Sequence, residues 1–192
     1  IKDAGVFPLS IGGEHTATYP ILKALARDEP FALIHLDAHC DTTGLFSDDP
    51  SETHDGNFAT RCVMDGLVDP ERTIQIGIRG SGSWAWEFSE DTGMRVVYAE
   101  EVQERGIHAI IAEAREIVGA HPCYLTVDVD SIEPTFLPGT TVPEPFGLTP
   151  WEVRDLIRGV RGLDIVGADI MEIWPPRGSQ EISAILGAAL AF

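Results

Sequence analysis

Three groups of side chains able to bind a metal stand at the ends of apolar runs. Phe31 to Leu36 leads into Asp37, His39 and Asp41, Cys123 to Val127 leads into Asp128 and Asp130, and Phe7 to Ile11 ends at Gly12-Gly13-Glu14-His15. Successive residues of an extended chain point to opposite faces, so Asp37, His39 and Asp41 are expected on one side. Four carboxylates brought together repel one another unless cations neutralise them, and two divalent ions balance four such charges. Mixed Asp and His ligands suit Mn²⁺, Fe²⁺, Ni²⁺ or Zn²⁺, whereas an oxygen-only set points to Ca²⁺ or Mg²⁺. The chemistry such a site offers is activation of water for hydrolysis. Taken singly, an Asp-x-Asp after a strand is a common turn or helix cap. Three clusters at three strand ends carry the reading together.

The elements that must position these residues alternate along the chain. Apolar runs at 6–11, 31–36, 73–78, 95–99, 123–127 and 164–173 read as strands. Helical spacing of apolar residues at 16–27 and 102–118 reads as helices, and 181–192 as one more. Thr149-Pro150-Trp151-Glu152 predicts a helix start, with a capping residue, proline at the first helical position and Glu at the third. Two long loops are expected, 42–58 and the proline-rich 131–148, and both follow strands with polar ends. This alternation implies an α/β domain with a mainly parallel sheet, in which ligands bind at the carboxyl ends of the strands.

Forty-four per cent of the 192 residues are hydrophobic, enough for one domain with a substantial core. No run approaches the ~20 apolar residues that cross a bilayer. Thirteen basic against 31 acidic residues leave a formal charge of −18, which argues against nucleic acid or an anionic membrane as partner and is compatible with a cationic substrate. Three widely spaced cysteines, Cys40, Cys62 and Cys123, form no disulfide framework and no CxxC pair, so a reducing cytoplasm is the expected location. Cys40, between two candidate ligands, is expected to face away as a packed bystander.

In five places the sequence resembles the ureohydrolases, the family of arginases, agmatinases and guanidino-acid hydrolases. Residues 12–16 resemble its GGDHS motif, 37–41 reproduce DAHxD, 126–139 resemble SxDxDxxDPxxxPG, 169–175 resemble DxxExxP, and 53–58 fit S/THxxxF. The resemblance implies a three-layer α/β/α fold, two Mn²⁺ ions (with Ni²⁺, Co²⁺ or Zn²⁺ as substitutes), and hydrolysis of a small cationic guanidino substrate to urea and an amine. It implies that His15, Asp37, Asp41 and Asp128 hold one ion, and Asp37, His39, Asp128 and Asp130 the other, so that Asp37 and Asp128 bridge. Asp41 counts with the catalytic residues as well as with the ligands. Glu172 would clamp the guanidinium, His54 would pass a proton to the leaving amine, and assembly as a trimer or hexamer would fit.

The chain also departs from the family. It resembles a single catalytic domain over residues 1–192 that lacks roughly the first third of its relatives' domain, including strands and a loop near the site mouth. Glu14 replaces Asp in what would be the layer around the ligands, Asp55 replaces a frequent Gly, and Glu133 replaces Asp. Thr141-Val142 interrupts PGTGTP, and Trp174 stands where arginases carry Asn. These changes point away from a standard arginase and leave agmatine, a guanidino acid or another small guanidino compound open as substrate. Two competing readings are a single-metal deacetylase of the related fold and a noncatalytic subunit that keeps the fold for assembly.

Overall fold

The computed structural model describes residues 4–25, 28–44, 49, 52–80, 86–174 and 180–192. Arg27, part of the expected 42–58 loop and Pro175 lie outside them. Six strands form one fully parallel sheet: β1 (Leu9–Ile11), β2 (Phe31–Leu36), β3 (Val68–Ile78), β4 (Arg95–Tyr98), β5 (Cys123–Asp128) and β6 (Ile165–Met171), in the order β1-β6-β5-β2-β3-β4. Seven helices among the described residues accompany it: α1 (Thr18–Leu25), α2 (Phe58–Met64), α3 (Glu87–Thr92), α4 (Ala99–Arg105), α5 (Ile107–Val118), α6 (Pro150–Gly159) and α7 (Gln180–Leu190).

The sheet is covered on both faces, and β2 shows why its sequence is an unbroken apolar run. Ala32, Ile34 and Leu36 enter a large core with α5 and α6, while Phe31 and Leu33 enter a second core with Tyr19, Leu22, Phe58 and Tyr124. A strand buried on two faces needs apolar residues at every position, and each fully buried Leu or Ile contributes roughly 1.5–3 kcal/mol. This is the three-layer α/β/α arrangement.

The expected strands are present, with adjusted ends. β1 is shorter, and β3 begins five residues earlier, at Val68. The single helix expected over 102–118 is two, because Gly106 at φ 78° turns the chain between Arg105 and Ile107. Thr149 caps α6 as its sequence predicts: its side chain accepts from the Glu152 N–H, and Glu152 accepts from the Thr149 N–H. Two short helices, α2 and α3, carried no clear sequence signal. α2 (FATRCVM) has weak helix formers and is held instead by the burial of five of its seven residues.

Candidate metal centre

Strand order and register bring the candidate residues to one end of the sheet. From β2 the chain runs outward to β3 and β4, then returns to β5 on the other side of β2. The strand order therefore reverses between β2 and β5, where α/β sheets open a crevice. Leu36 pairs with Val127, so Asp37 and Asp128 leave adjacent strands at the same level. Val127 pairs with Ile170 and Ile11 with Ile170, which places Glu172 and the 310 turn His15–Ala17 at that level too.

All six expected ligands meet there, in two groups. His15 Nδ1 lies 3.1 Å from Asp128 Oδ2 and 3.3 Å from both Asp37 Oδ2 and Asp41 Oδ2. His39 Nδ1 lies 3.0 Å from Asp130 Oδ2 and 3.4 Å from Asp37 Oδ1. Asp37 thus presents one oxygen to each group, as a bridging carboxylate must. Asp128 faces the His15 group through Oδ2, while its Oδ1 accepts from the Asp130 N–H at 2.8 Å. Asp41 reaches the group otherwise than by strand alternation, since β2 ends at Leu36 and a turn with Asp41 at φ 50° delivers its carboxylate. A non-glycine residue in that conformation is strained, a common feature of functional sites.

Hydrogen bonds fix which nitrogen of His15 faces the carboxylates. The Thr126 hydroxyl donates to Asp169 Oδ1 at 2.5 Å, so it accepts from His15 Nε2 at 2.7 Å. Asp169 is itself held by the hydroxyls of Thr18 and Tyr124. His15 therefore carries a proton on Nε2 and turns Nδ1 to the three carboxylates. His39 turns Nδ1 to Asp37 and Asp130, and its Nε2 lies 3.6 Å from Glu144 Oε1, an ion-pair distance rather than a hydrogen bond. The ligand spacing singled out none of Thr126, Asp169 and Glu144, although the first two lie within motifs. Residues that orient ligands are an expected part of a metal site.

The electrostatics show what the cluster lacks. Burial, then the charge of Asp37, pushes Asp41 up to about 8 and Asp130 up to about 6; burial with Asp130 and Asp37 holds Asp128 well above the carboxylate range. Burial also opposes the charge of Asp37, but hydrogen bonds from His15, His35 and His39 hold it well below that range. Burial disfavours the imidazolium of His39, yet Asp130 and Asp37 raise it to about 12, and His15 is raised by Asp128, Asp37 and Asp41. Without a metal, protons thus supply the positive charge at His15 Nδ1 and His39 Nδ1, the two atoms at which the carboxylates converge. The donor set fits two divalent cations.

Cation binding must then expel protons. Near pH 7 the metal-free chain retains protons at His15 Nδ1 and His39 Nδ1 and, in large part, one on Asp41, so metal affinity is expected to rise with pH by roughly tenfold per unit per proton released. Below about pH 6, protonation of Asp130 steepens the loss. Calorimetric Mn²⁺ titration at pH 7 in buffers of different ionisation enthalpy should show net release of at least one proton; no release contradicts this account.

A cavity of about 250 Å³ opens onto the cluster, lined by His39, Asp41, Asp128 and Asp130, with Glu172, Asp55, Thr141 and Val142 among the remaining wall residues. Glu172, at the end of β6 with φ 61°, accepts from the His15 N–H at 2.8 Å and from the Thr141 hydroxyl at 2.5 Å. His54 is not brought into the cluster. It is 45% exposed, 3.5 Å from Asp55, and its neighbours Asp55 and Gly56 line the wall. Of the departures, Asp55, Thr141 and Val142 all touch the cavity. Glu14 is exposed and accepts from the Thr16 hydroxyl, away from the ligands where it was expected, because the 310 turn that buries His15 directs its predecessor outward. Cys40 packs with Ile78 and Val96 and also forms part of the wall, and burial raises its thiol far above neutrality.

Among the glycines held by close approach, Gly80 lies against a candidate ligand. A Cβ on Gly80 would lie 2.4 Å from His39 Cδ2 and 3.0 Å from its Nε2. Gly80→Ala is expected to displace the ring, costing roughly 1–3 kcal/mol of stability and weakening the Asp37–His39–Asp130 group for metal. Thermal melts with metal titration check this, and unchanged metal affinity would show that the ring has room to move.

The fold and site define a parallel α/β/α protein with a buried carboxylate–imidazole cluster suited to a divalent metal pair. The chain belongs to the arginase family, whose model matches residues 1–192. It is 46% identical over 194 residues to a guanidinopropionase of Pseudomonas aeruginosa, covering 100% of this chain and 61% of that protein. The human mitochondrial guanidino acid hydrolase is 40% identical over 195 residues, with 100% and 55% covered. The crystal structure of a hypothetical agmatinase from Burkholderia thailandensis matches with a TM-score of 0.89 at 37% identity, covering 98% of this chain and 58% of that one. The chain thus spans about 55 to 61% of the length of these relatives.

Proposed function

We propose that this chain is the catalytic part of an amidinohydrolase that holds two divalent ions and cleaves a small guanidino compound to urea and an amine. The observation that carries the reading is Asp37, buried with its two oxygens facing two separate imidazole–carboxylate groups, of which His39, Asp41, Asp128 and Asp130 line the cavity. His15, Asp37, Asp41 and Asp128 would hold one ion, and Asp37, His39, Asp128 and Asp130 the other, with Mn²⁺ the proposed metal and Ni²⁺, Co²⁺ or Zn²⁺ as alternatives. When bound, the pair supplies water activated for attack near neutral pH.

The protein's own groups do the rest. Glu172, already oriented by the His15 N–H and Thr141, binds the guanidinium by charge-assisted hydrogen bonds and presents its carbon to the cluster. His54, partly exposed beside the cavity wall, carries a proton to the departing amine, a task matched to imidazole near pH 7. The relatives named guanidinopropionase and guanidino acid hydrolase support this chemistry. The acidic wall, with Asp55 at its edge, favours a cationic tail such as that of agmatine; the 46% identity to a guanidinopropionase favours a guanidino acid.

The test is urea release by the metal-loaded whole protein from agmatine, guanidinopropionate, guanidinobutyrate, arginine and guanidine. Urea from one of them supports the reading, and none with Mn²⁺, Ni²⁺, Co²⁺ or Zn²⁺ refutes it. Assembly as a trimer or hexamer belongs to the same proposal. So does a cytoplasmic location, supported by three free, buried cysteines, although the human relative is named as mitochondrial. No helix among the described residues is long and apolar enough to cross a membrane.

A further inference from the structure

Asp37 is also gripped from behind, by a residue outside the expected ligand set. His35 lies two residues earlier, in β2, fully buried, with Nε2 2.7 Å from Asp37 Oδ2. Its Nδ1 lies 3.1 Å from the side-chain nitrogen of Gln75, its register partner on β3. That same nitrogen lies 2.6 Å from the carbonyl oxygen of Cys40. A backbone carbonyl can only accept, so the Gln75 atom beside it is the amide NH2, and its second hydrogen is available to His35 Nδ1. Nδ1 is then an acceptor, and the ring proton sits on Nε2, directed at Asp37. The Phe58 ring packs against both His35 and His15, at 5.5 and 4.4 Å between centroids, and confines the two imidazoles.

His35 is close enough to His15, Asp37 and Asp41 to be mistaken for a ligand. We propose instead that His35, locked by Gln75, is a positioning residue that donates to Asp37 Oδ2 and sets the carboxylate to face both metal groups at once. The opposite oxygen is held in the same way, since Oδ1 accepts from the His39 N–H at 2.7 Å. One donor on each oxygen leaves the carboxylate little freedom to rotate, and a bridging ligand must not rotate. The proposal rests on the metal reading above and adds that the donor, rather than a further ligand atom, is what position 35 must supply.

The test is Mn²⁺ titration of the whole protein by calorimetry, with thermal melts as a control for folding. His35→Gln places an amide nitrogen near the position of Nε2 and still donates, so it is expected to bind both ions within about threefold of wild type. His35→Phe keeps a planar ring without a donor and is expected to weaken at least one ion about 10- to 100-fold, the usual effect of losing a residue that orients a ligand. Gln75→Met, which frees the ring without removing it, should fall between the two, and it serves if His35→Phe does not fold. Equal weakening by Gln and Phe would make His35 a ligand and overturn the proposal, as would His35→Phe with wild-type affinity. A wild-type protein that binds no metal would overturn the metal reading itself.

Discussion

Asp128→Asn is expected to abolish turnover while leaving the metal-free protein as stable as before, or more so. Asp128 Oδ2 is the closest carboxylate oxygen to His15 Nδ1, and Oδ1 caps the turn at Asp130, so an amide of the same shape can occupy the space. Burial and the charges of Asp130 and Asp37 already hold its carboxyl well above the ordinary range, so its ionised form destabilises the empty site. Replacing this carboxyl by a neutral amide removes the cost of ionising it among its neighbours and at the same time removes a proposed metal ligand. We expect kcat/KM to fall by at least about 10³-fold, which is about 4 kcal/mol of transition-state stabilisation. The rise in Tm that Mn²⁺ gives the wild type, a linkage effect of binding only the folded state, should shrink or vanish. Thermal melts with and without Mn²⁺ and urea release measure the two effects separately. A full Mn²⁺-dependent rise would exclude Asp128 as a ligand, and unchanged biological function without turnover in either protein would favour a noncatalytic subunit.

The site was legible in sequence to different depths. Its candidate ligands follow from polar residues placed after apolar runs, because a parallel strand buried on both faces must be apolar until it ends, and the first polar residues beyond it stand at the sheet's carboxyl edge. Asp37, Asp128 and His15 were readable on that basis. Asp41 lies beside His15 by a route alternation does not supply: the strand stops at Leu36, and a left-handed turn brings the carboxylate there. His35, Gln75 and Thr126 were hidden for the opposite reason. They sit inside strands, where a lone polar residue in an apolar run carries no sign of its partners, and only register between β2, β3 and β5 brings them to the ligands. The break at Gly106 was visible as a residue and not as a turn, since glycine is tolerated in helices and a sequence does not print its φ, here 78°. Helices α2 and α3 are too short for periodicity to register.

Glu172→Gln is expected to separate substrate binding from metal binding. Glutamine can reproduce both contacts of Glu172, its carbonyl oxygen accepting from the His15 N–H and its amide donating to the Thr141 oxygen, so the turn at φ 61° and the His15 backbone should stay in place. What it loses is the charge. A guanidinium held in a buried, charge-assisted pair is worth about 3 kcal/mol more than one facing a neutral amide, so kcat/KM should fall about 100-fold while two ions still bind at wild-type affinity. Glu172→Asp keeps the charge but withdraws it by one methylene, and is expected to recover part of the loss. A guanidinium probe, guanidine itself as a competitive inhibitor, should bind the Gln variant correspondingly more weakly. Turnover within tenfold of wild type would remove Glu172 from substrate binding. Loss of metal together with turnover would show that its contribution passes through the His15 backbone, making the end of β6 a support for the metal centre and leaving the guanidinium to be held by Asp55 or by residues outside this chain's span.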